Sequence, residues 1–212
     1  MKTLIVASSF IKDTDGYMFR TDRTERWANF NRHWGFDGLL IHNPVEGFQD
    51  HDKQILPALT RSWYNCKHHI MNPMIRGAGA DTYPNWMTFE VLKSYLNNYE
   101  RIFYIDTDAF ALSEKFRNYM LSLTTGWTAF WTPKYNFPEN GIMVICKDQF
   151  EKYKNLNFLS FNKQGIAEKL MPYTLVNKDF NGDRFQEFLP NIPENADYAV
   201  QVRDLAHEWL KK

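Results

Sequence analysis

Short apolar runs of strand length alternate along the chain with segments whose apolar residues recur at helical spacing. Residues 4–7 form a fully apolar run, which is typical of a strand in the middle of a parallel sheet. Asp22 and Glu25 stand at the spacing of a capping box and predict the start of a first helix. By the same reasoning we predict further strands at residues 38–42, 102–105, 128–132 and 141–146, and further helices at 55–64, 84–99, 114–123 and from 147.

The alternation of strands and helices predicts an α/β protein with a mostly parallel sheet flanked by helices and right-handed crossovers. The periodicity weakens from residue 155 onward, and only residues 198–210 regain a helical period. We find no repeat, low-complexity tract or linker, so we expect a single domain over residues 1–212. A chain that stops without a tail is also compatible with one domain of a longer protein.

Composition and charge exclude several function classes. The chain has 25 Lys and Arg against 25 Asp and Glu, and no basic cluster of the kind that nucleic acid requires. The apolar stretch near the N-terminus is short, and no segment is long enough to span a bilayer. Cys66 and Cys146 lie far apart without a CxxC motif, which predicts buried thiols in a reducing compartment. We therefore expect a soluble, cytoplasmic protein without a nucleic-acid partner.

The sequence Asp-Thr-Asp occurs twice, at residues 13–15 and 106–108. The second copy follows an apolar strand. If the strand continues, the side chains of Asp106 and Asp108 point to the same face and their Cα atoms lie about 6.6 Å apart. Two carboxylates on one face repel each other unless a divalent cation neutralises them, and oxygen ligands suit Mg²⁺ or Mn²⁺. The first copy has no strand before it and fails the calcium-loop pattern, so we interpret it as a solvated turn.

The segment 101–112 resembles the DxD strand of GT-A glycosyltransferases, in which a hydrophobic strand presents metal-binding carboxylates to a nucleotide-sugar. Residues 139–145, which begin Glu-Asn-Gly, are similar to the Asn-Gly turn before an apolar strand in retaining, glycogenin-like members. The resemblance covers most of residues 2–150, while the C-terminal third matches only loosely. It implies a GT-A type, Rossmann-like fold with a nucleotide-binding part over about 1–112 and an acceptor-side part over about 113–212.

This resemblance implies a Mn²⁺- or Mg²⁺-dependent transfer of a sugar from a nucleotide-sugar, most often a UDP-sugar, to a glycan acceptor. An Asn-Gly segment favours retention, with the acidic region around Asp183 and Asp179 orienting the donor sugar. His207 is the preferred third metal ligand beside Asp106 and Asp108. The residues expected to bind the donor are Ala7, Ser8, Ser9, Arg76, Trp86, Asp106, Thr107, Asp108, Asn140 and Gly141.

The chain departs from the family pattern in one place. Retaining relatives often carry Lys or Arg early in the helix before the DxD strand, where it meets the diphosphate, and residues 86–90 contain neither. Arg76, in a Gly-rich loop, is the nearest replacement, unless that loop is only a connection. Aromatic residues make up 17% of the chain, and Trp86, Trp131 and Tyr135 are candidates for stacking on sugar rings or for core packing.

Two other functions remain open from the sequence. A haloacid-dehalogenase-like phosphohydrolase also places DxD after an apolar strand, although normally near the start of the chain, and a non-catalytic carbohydrate-binding domain would explain the aromatic content. The size and the Asp-Thr-Asp segment also resemble the small glycosyltransferase domains that chlorella viruses place at the start of multidomain proteins. That resemblance would imply a viral protein working on glycans in the host cytoplasm.

Overall fold

The computed structural model describes residues 1–10, 17–44, 47–72, 83–132, 137–161, 169–184 and 195–200. Within these ranges the strands are β1 (Thr3–Phe10), β2 (Asp37–Asn43), β3 (Cys66–Ile70), β4 (Arg101–Ile105), β5 (Phe110–Ala111), β6 (Trp127–Thr132), β7 (Phe137–Cys146), β8 (Leu175–Asn177), β9 (Gly182–Arg184) and β10 (Tyr198–Val200). The α-helices are α1 (Tyr17–Asn31), α2 (Gln49–Leu59), α3 (Tyr83–Leu92), α4 (Glu114–Ser122) and α5 (Phe150–Asn155).

The main sheet has seven strands in the order β3-β2-β1-β4-β7-β6-β8. The strands β3, β2, β1 and β4 pair in parallel, as do β6 and β8. Strand β7 is antiparallel to both of its neighbours, β4 and β6. The prediction of an α/β, mostly parallel sheet flanked by helices in a single domain is therefore confirmed.

Side chains from each central strand enter two separate cores, one on each face of the main sheet. On β1, Leu4 and Val6 belong to the first core, whereas Ile5 and Ala7 belong to the second. All four are at most 1% exposed. Because both faces of a central parallel strand are covered, every position must be apolar. This explains why the run at residues 4–7 shows no alternation.

A smaller, three-stranded sheet joins the region after β4 to the C-terminal part of the chain. Its order is β5-β10-β9, with β10 antiparallel to β5 and parallel to β9. Residues 198–210, for which the sequence predicted a helix, begin with β10 instead, and residues 201–212 lie outside the described ranges. The C-terminal strand β10 thus pairs with β5, which begins two residues after Asp108.

Several predicted element boundaries change in the structure. Helix α1 begins at Tyr17, so Asp22 and Glu25 lie within it and do not form its cap. Helix α2 spans Gln49–Leu59, not 55–64. Its first turns were missed because they consist of polar residues, which give no apolar period. Helix α3 ends at Leu92, and a turn followed by a 3₁₀ segment carries Leu96 and Tyr99 into the same core. Strand β3 was not predicted, since its half-buried sequence CKHHI lacks an apolar run.

Candidate functional site

The Asp-Thr-Asp segment lies at the carboxyl end of β4, in the centre of the main sheet. Strand β4 ends at Ile105, and the N–H of Ala109 donates to the carbonyl of Asp106 at 2.9 Å, which closes a turn. The N–H of Thr107 donates to Asp106 Oδ1 at 2.9 Å. The expectation that the two carboxylates continue the strand with a period of two is therefore wrong. A short acidic side chain that bonds to the backbone beside it favours a turn over extended chain.

The structure brings the second motif of the sequence against this turn. The N–H of Asp106 donates to the carbonyl of Gly141 at 2.9 Å, next to the pairing of Ile105 with Ile142. Asn140 and Gly141 lie within β7 and do not form the expected turn before it. Their segment is irregular, because the register with β6 shifts between Ala129 and Phe130. The irregularity places the Asn-Gly backbone beside the Asp-Thr-Asp turn.

The carboxyl end of β1 lies beside the same turn. The Thr107 hydroxyl donates to the carbonyl of Ser8 at 3.4 Å, and the Thr88 hydroxyl of α3 donates to Ser8 Oγ at 2.9 Å. Ala7 is fully buried, and Ser8 and Ser9 are 3% and 5% exposed. Of the three residues near the end of β1 that were expected to touch the donor, Ser8 is hydrogen-bonded to the Asp-Thr-Asp turn, and the hydroxyls of Ser8 and Ser9 form hydrogen bonds within the protein.

A buried chain of polar side chains extends from Ser9 to helix α2. Ser9 Oγ lies 3.1 Å from His42 Nδ1, and His42 Nε2 lies 2.8 Å from Asp52 Oδ2. His42 and Asp52 are 1% and 2% exposed. This chain fixes the carboxyl ends of β1 and β2 to each other and to α2. No local sequence pattern indicates this chain of side chains, since its three members come from separate elements.

Helix α1 contacts the last residue of β4 and the Asp-Thr-Asp turn through two side chains one helical turn apart. Arg23 Nη1 lies 2.9 Å from Asp108 Oδ2 in an ion pair whose side chains are 4% and 17% exposed. Trp27 Nε1 donates to the carbonyl of Ile105 at 2.8 Å. The sequence did not identify Arg23, because its partner lies 85 positions further along the chain.

The donor set of the turn suits a hard divalent cation as far as the described residues go. Asp106 and Asp108 are both partly exposed and supply carboxylate oxygens, which Mg²⁺ and Mn²⁺ prefer. Within the described ranges no group of three or more His, Cys, Asp or Glu side chains is placed to hold a metal ion, so the two carboxylates would supply only part of a coordination shell. Burial raises the pKa of Tyr104 well above its usual value, and the carboxylates of Asp106 and Asp108 add to the effect, so this phenol stays protonated.

The other predicted residues lie in different surroundings. Trp86 is completely buried in the first core, where its ring stacks on Phe158 at 6.2 Å. Asp179 is exposed in the loop between β8 and β9, and its Oδ2 accepts from Asn177 Nδ2 at 3.1 Å. Asp183 lies on β9, two strands from β5 in the small sheet. For Asp183 and Asn140 the structure describes the backbone only. Arg76, Tyr135, His207 and the first Asp-Thr-Asp copy at residues 13–15 lie outside the described residues.

Comparison with solved structures shows the fold. A glycosyltransferase involved in glycosylation of the major capsid of the chlorella virus PBCV-1 is similar over 100% of this chain and 98% of its own, with a TM-score of 0.56 and 11% identity. The chain has the GT-A fold. Galactosyltransferase LgtC with donor and acceptor sugar analogues is similar over 94% of this chain and 86% of its own, with a TM-score of 0.51 and 10% identity. An active-site variant of LgtC gives a TM-score of 0.54 at 10% identity, with the same coverage.

No protein-family model and no curated protein sequence matches the chain. The likeness to glycosyltransferases therefore rests on the fold alone. Among the described residues, no helix combines the length and apolar character needed to cross a bilayer.

Proposed function

We propose that the protein is a divalent-cation-dependent glycosyltransferase that moves a sugar from a nucleotide-sugar, in the first place a UDP-sugar, to a glycan acceptor. The observation that carries the proposal is the position of the Asp106-Thr107-Asp108 turn in a GT-A fold. The turn lies at the carboxyl end of a central strand, where ligands of open α/β sheets bind. The Asn-Gly segment of β7 is hydrogen-bonded to it.

Asp106 and Asp108 are the proposed protein ligands of the cation, which is Mn²⁺ or Mg²⁺. When bound, such a cation acts as a Lewis acid that stabilises the negative charge on a departing nucleoside diphosphate. The hydrogen bonds of Asp106 to Thr107 and Gly141 hold its backbone and one carboxylate oxygen in place. Preorganised ligands reduce the cost of ordering the site when the donor binds.

The C-terminal part of the chain is the proposed acceptor side. Strand β10 is antiparallel to β5, so its carboxyl end at Val200 lies towards the end of β5 that follows Asp108. This direction supports His207, seven positions beyond Val200, as a third cation ligand. Asp183, level with Ala199 on the neighbouring strand, is proposed to orient the donor sugar, with Asp179 nearby in sequence. Retention of configuration is part of the proposal and rests on the Asn-Gly resemblance.

The test is thermal unfolding of the parent protein with a panel of nucleotide-sugars, each with and without Mn²⁺, repeated on Asp108→Asn. We expect UDP-linked donors at about one hundred times their Kd to raise the Tm of the parent by roughly 5 °C or more, and only with Mn²⁺ present. Asp108→Asn should lose this shift, because an amide oxygen is a weaker ligand for a hard cation than a carboxylate.

Asp148→Asn is the matched control. Asp148 follows β7 beside the amino end of β4, where Arg101 pairs with Cys146, so it lies at the end of β4 opposite to the Asp-Thr-Asp turn. Its carboxylate accepts from the N–H of Gly126. This variant should keep the full ligand-dependent shift. A parent protein that ignores nucleotide-sugars but releases phosphate from a phosphomonoester, or that is stabilised by free sugars alone, would contradict the proposal. Transfer to a glycan acceptor, followed by analysis of the product anomer, then tests retention.

A further inference from the structure

Arg23 of α1 forms a direct, largely buried ion pair with the second acidic residue of the turn. Its Nη1 lies 2.9 Å from Asp108 Oδ2, and the arginine side chain is 4% exposed. A contact of this length is a charge-assisted hydrogen bond. Asp108 is also a proposed ligand of the divalent cation. The guanidinium and the cation would therefore act on the same carboxylate.

The position of Arg23 is fixed by the helix that carries it. Trp27, one turn further along α1, donates from Nε1 to the carbonyl of Ile105 and is completely buried. Its ring packs against Trp63 with centroids 5.2 Å apart. Residues 23 and 27 share one helix face, so the same face contacts the end of β4 and the turn after it. Arg23 thus keeps its charge beside Asp108 through the packing of α1.

A fixed positive charge at this place has opposite effects in the two states of the site. Without a nucleotide, it already neutralises Asp108 and repels a divalent cation, so it weakens cation binding. With a nucleoside diphosphate bound, the added negative charges attract both the cation and the guanidinium. The negative charge of the diphosphate then offsets the repulsion between the guanidinium of Arg23 and the cation.

We propose that Arg23 couples the two binding events, so that the divalent cation binds tightly only together with the nucleoside diphosphate. Arg23 is a positioning residue in this scheme, since it acts through Asp108. The inference rests on the proposed function, in which Asp108 ligates the cation. By linkage, the factor by which UDP strengthens Mn²⁺ binding equals the factor by which Mn²⁺ strengthens UDP binding.

The experiment measures that coupling factor directly. Binding of Mn²⁺ is followed by electron paramagnetic resonance with and without saturating UDP, and binding of UDP by calorimetry with and without Mn²⁺. For the parent we expect a coupling factor of about one hundred, within the range common for coupled sites. Arg23→Gln should bind Mn²⁺ alone about tenfold more tightly and show a coupling factor about tenfold smaller than the parent.

Two further variants separate charge from stability. Arg23→Lys keeps a positive charge at the same position of α1 and should retain most of the coupling, which also keeps the test open if Arg23→Gln fails to fold. Arg101→Gln is the matched control, because Arg101 is also a buried arginine, 4% exposed, but lies at the opposite end of β4 against Thr3 and the carbonyls of residues 121 and 123. It should lower the Tm and leave the coupling factor at the parent value.

The outcomes distinguish this inference from the proposed function. An unchanged coupling factor in Arg23→Gln overturns the inference, as does weaker Mn²⁺ binding both with and without UDP, which would make Arg23 a simple support for Asp108. Loss of coupling in Arg23→Lys to the same extent as in Arg23→Gln also overturns it. A folded parent that binds neither Mn²⁺ nor UDP contradicts the proposed function itself.

Discussion

At the scale of single residues, the hydrogen-bonded chain Ser9, His42 and Asp52 holds together three elements at the edge of the sheet that carries the site. His42 Nε2 lies 2.8 Å from the carboxylate of Asp52 and its Nδ1 lies 3.1 Å from the Ser9 hydroxyl, so each ring nitrogen has a buried hydrogen-bond partner. All three side chains are at most 5% exposed. In such surroundings a missing partner is costly, because water does not replace it.

We therefore predict that His42→Phe lowers the free energy of unfolding by about 2–4 kcal/mol, since it leaves Asp52 buried without its main hydrogen-bond partner. Urea unfolding followed by circular dichroism measures the change. The double variant His42→Phe with Asp52→Leu should cost less than the single variant, because it removes the stranded carboxylate. A double variant that loses the sum of the two single effects would speak against a coupled pair.

At the scale of elements, the small sheet β5-β10-β9 depends on a close approach between two strands. Gly182 of β9 pairs with Tyr198 of β10, and a Cβ at Gly182 would overlap the ring atom Cζ of Tyr198. That ring cannot easily move, because its hydroxyl donates to the carbonyl of Trp131 at 2.6 Å and it stacks on Phe116. Only glycine fits at this position.

We predict that Gly182→Ala destabilises the protein by roughly 1–3 kcal/mol through overpacking, with its effect concentrated on β9 and β10. Hydrogen exchange should show faster exchange of the amides of residues 198–200, while β1 and β4 keep their protection. Gly35→Ala is the control for a glycine whose Cβ would meet nothing within 4 Å, although its φ of 69° adds its own local strain. Equal loss of protection in both sheets of the Gly182→Ala protein would contradict a local effect.

The helices and strands that were predicted correctly are those with a clear apolar pattern of their own. Strands β1, β2, β4 and β6 and helix α4 were predicted close to their observed bounds, because each carries an apolar run or an amphipathic period of its own. Strands β3, β5, β8, β9 and β10 were not predicted. They are short, and their stability comes from pairing with strands that are distant in sequence, which no local pattern records.

For the protein as a whole, two half-buried histidines on β3 make the stability depend on pH. Burial lowers the pKa of His68 below its usual value of 6.5, with repulsion from His42 adding to the effect, and burial also lowers the pKa of His69. His68 Nε2 lies 2.7 Å from Thr60 Oγ1, and His69 Nδ1 lies 2.8 Å from Tyr95 Oη. Folding therefore favours the uncharged form of both rings.

We predict that the protein becomes less stable as the pH falls below about 6.5. Below this pH the unfolded chain takes up protons at His68 and His69, whereas in the folded protein both rings stay neutral down to their lowered pKa values. The two histidines therefore contribute fully to the free energy of unfolding at higher pH, and this contribution is lost as the pH falls from about 6.5 to the folded pKa values. Thermal unfolding at pH 7.5 and 5.5 measures the difference. The double variant His68→Gln with His69→Gln should reduce it, whereas substitution of the exposed His33 by Gln should not. An equal pH dependence in parent and double variant would contradict this origin.

Local runs of apolar and acidic residues were enough to predict the α/β class, the buried central strands and the position of Asp106-Thr107-Asp108 at the end of one of them. It also indicated the GT-A fold through the two short motifs at residues 101–112 and 139–145. The folded chain was needed to show that Asp106 and Asp108 lie on a turn, that Gly141 contacts this turn and that Arg23 pairs with Asp108. The same holds for the hydrogen-bonded chain of Ser9, His42 and Asp52. Such contacts join residues tens of positions apart, and they exist because packing of the sheet and its helices brings the ends of separate elements to one edge.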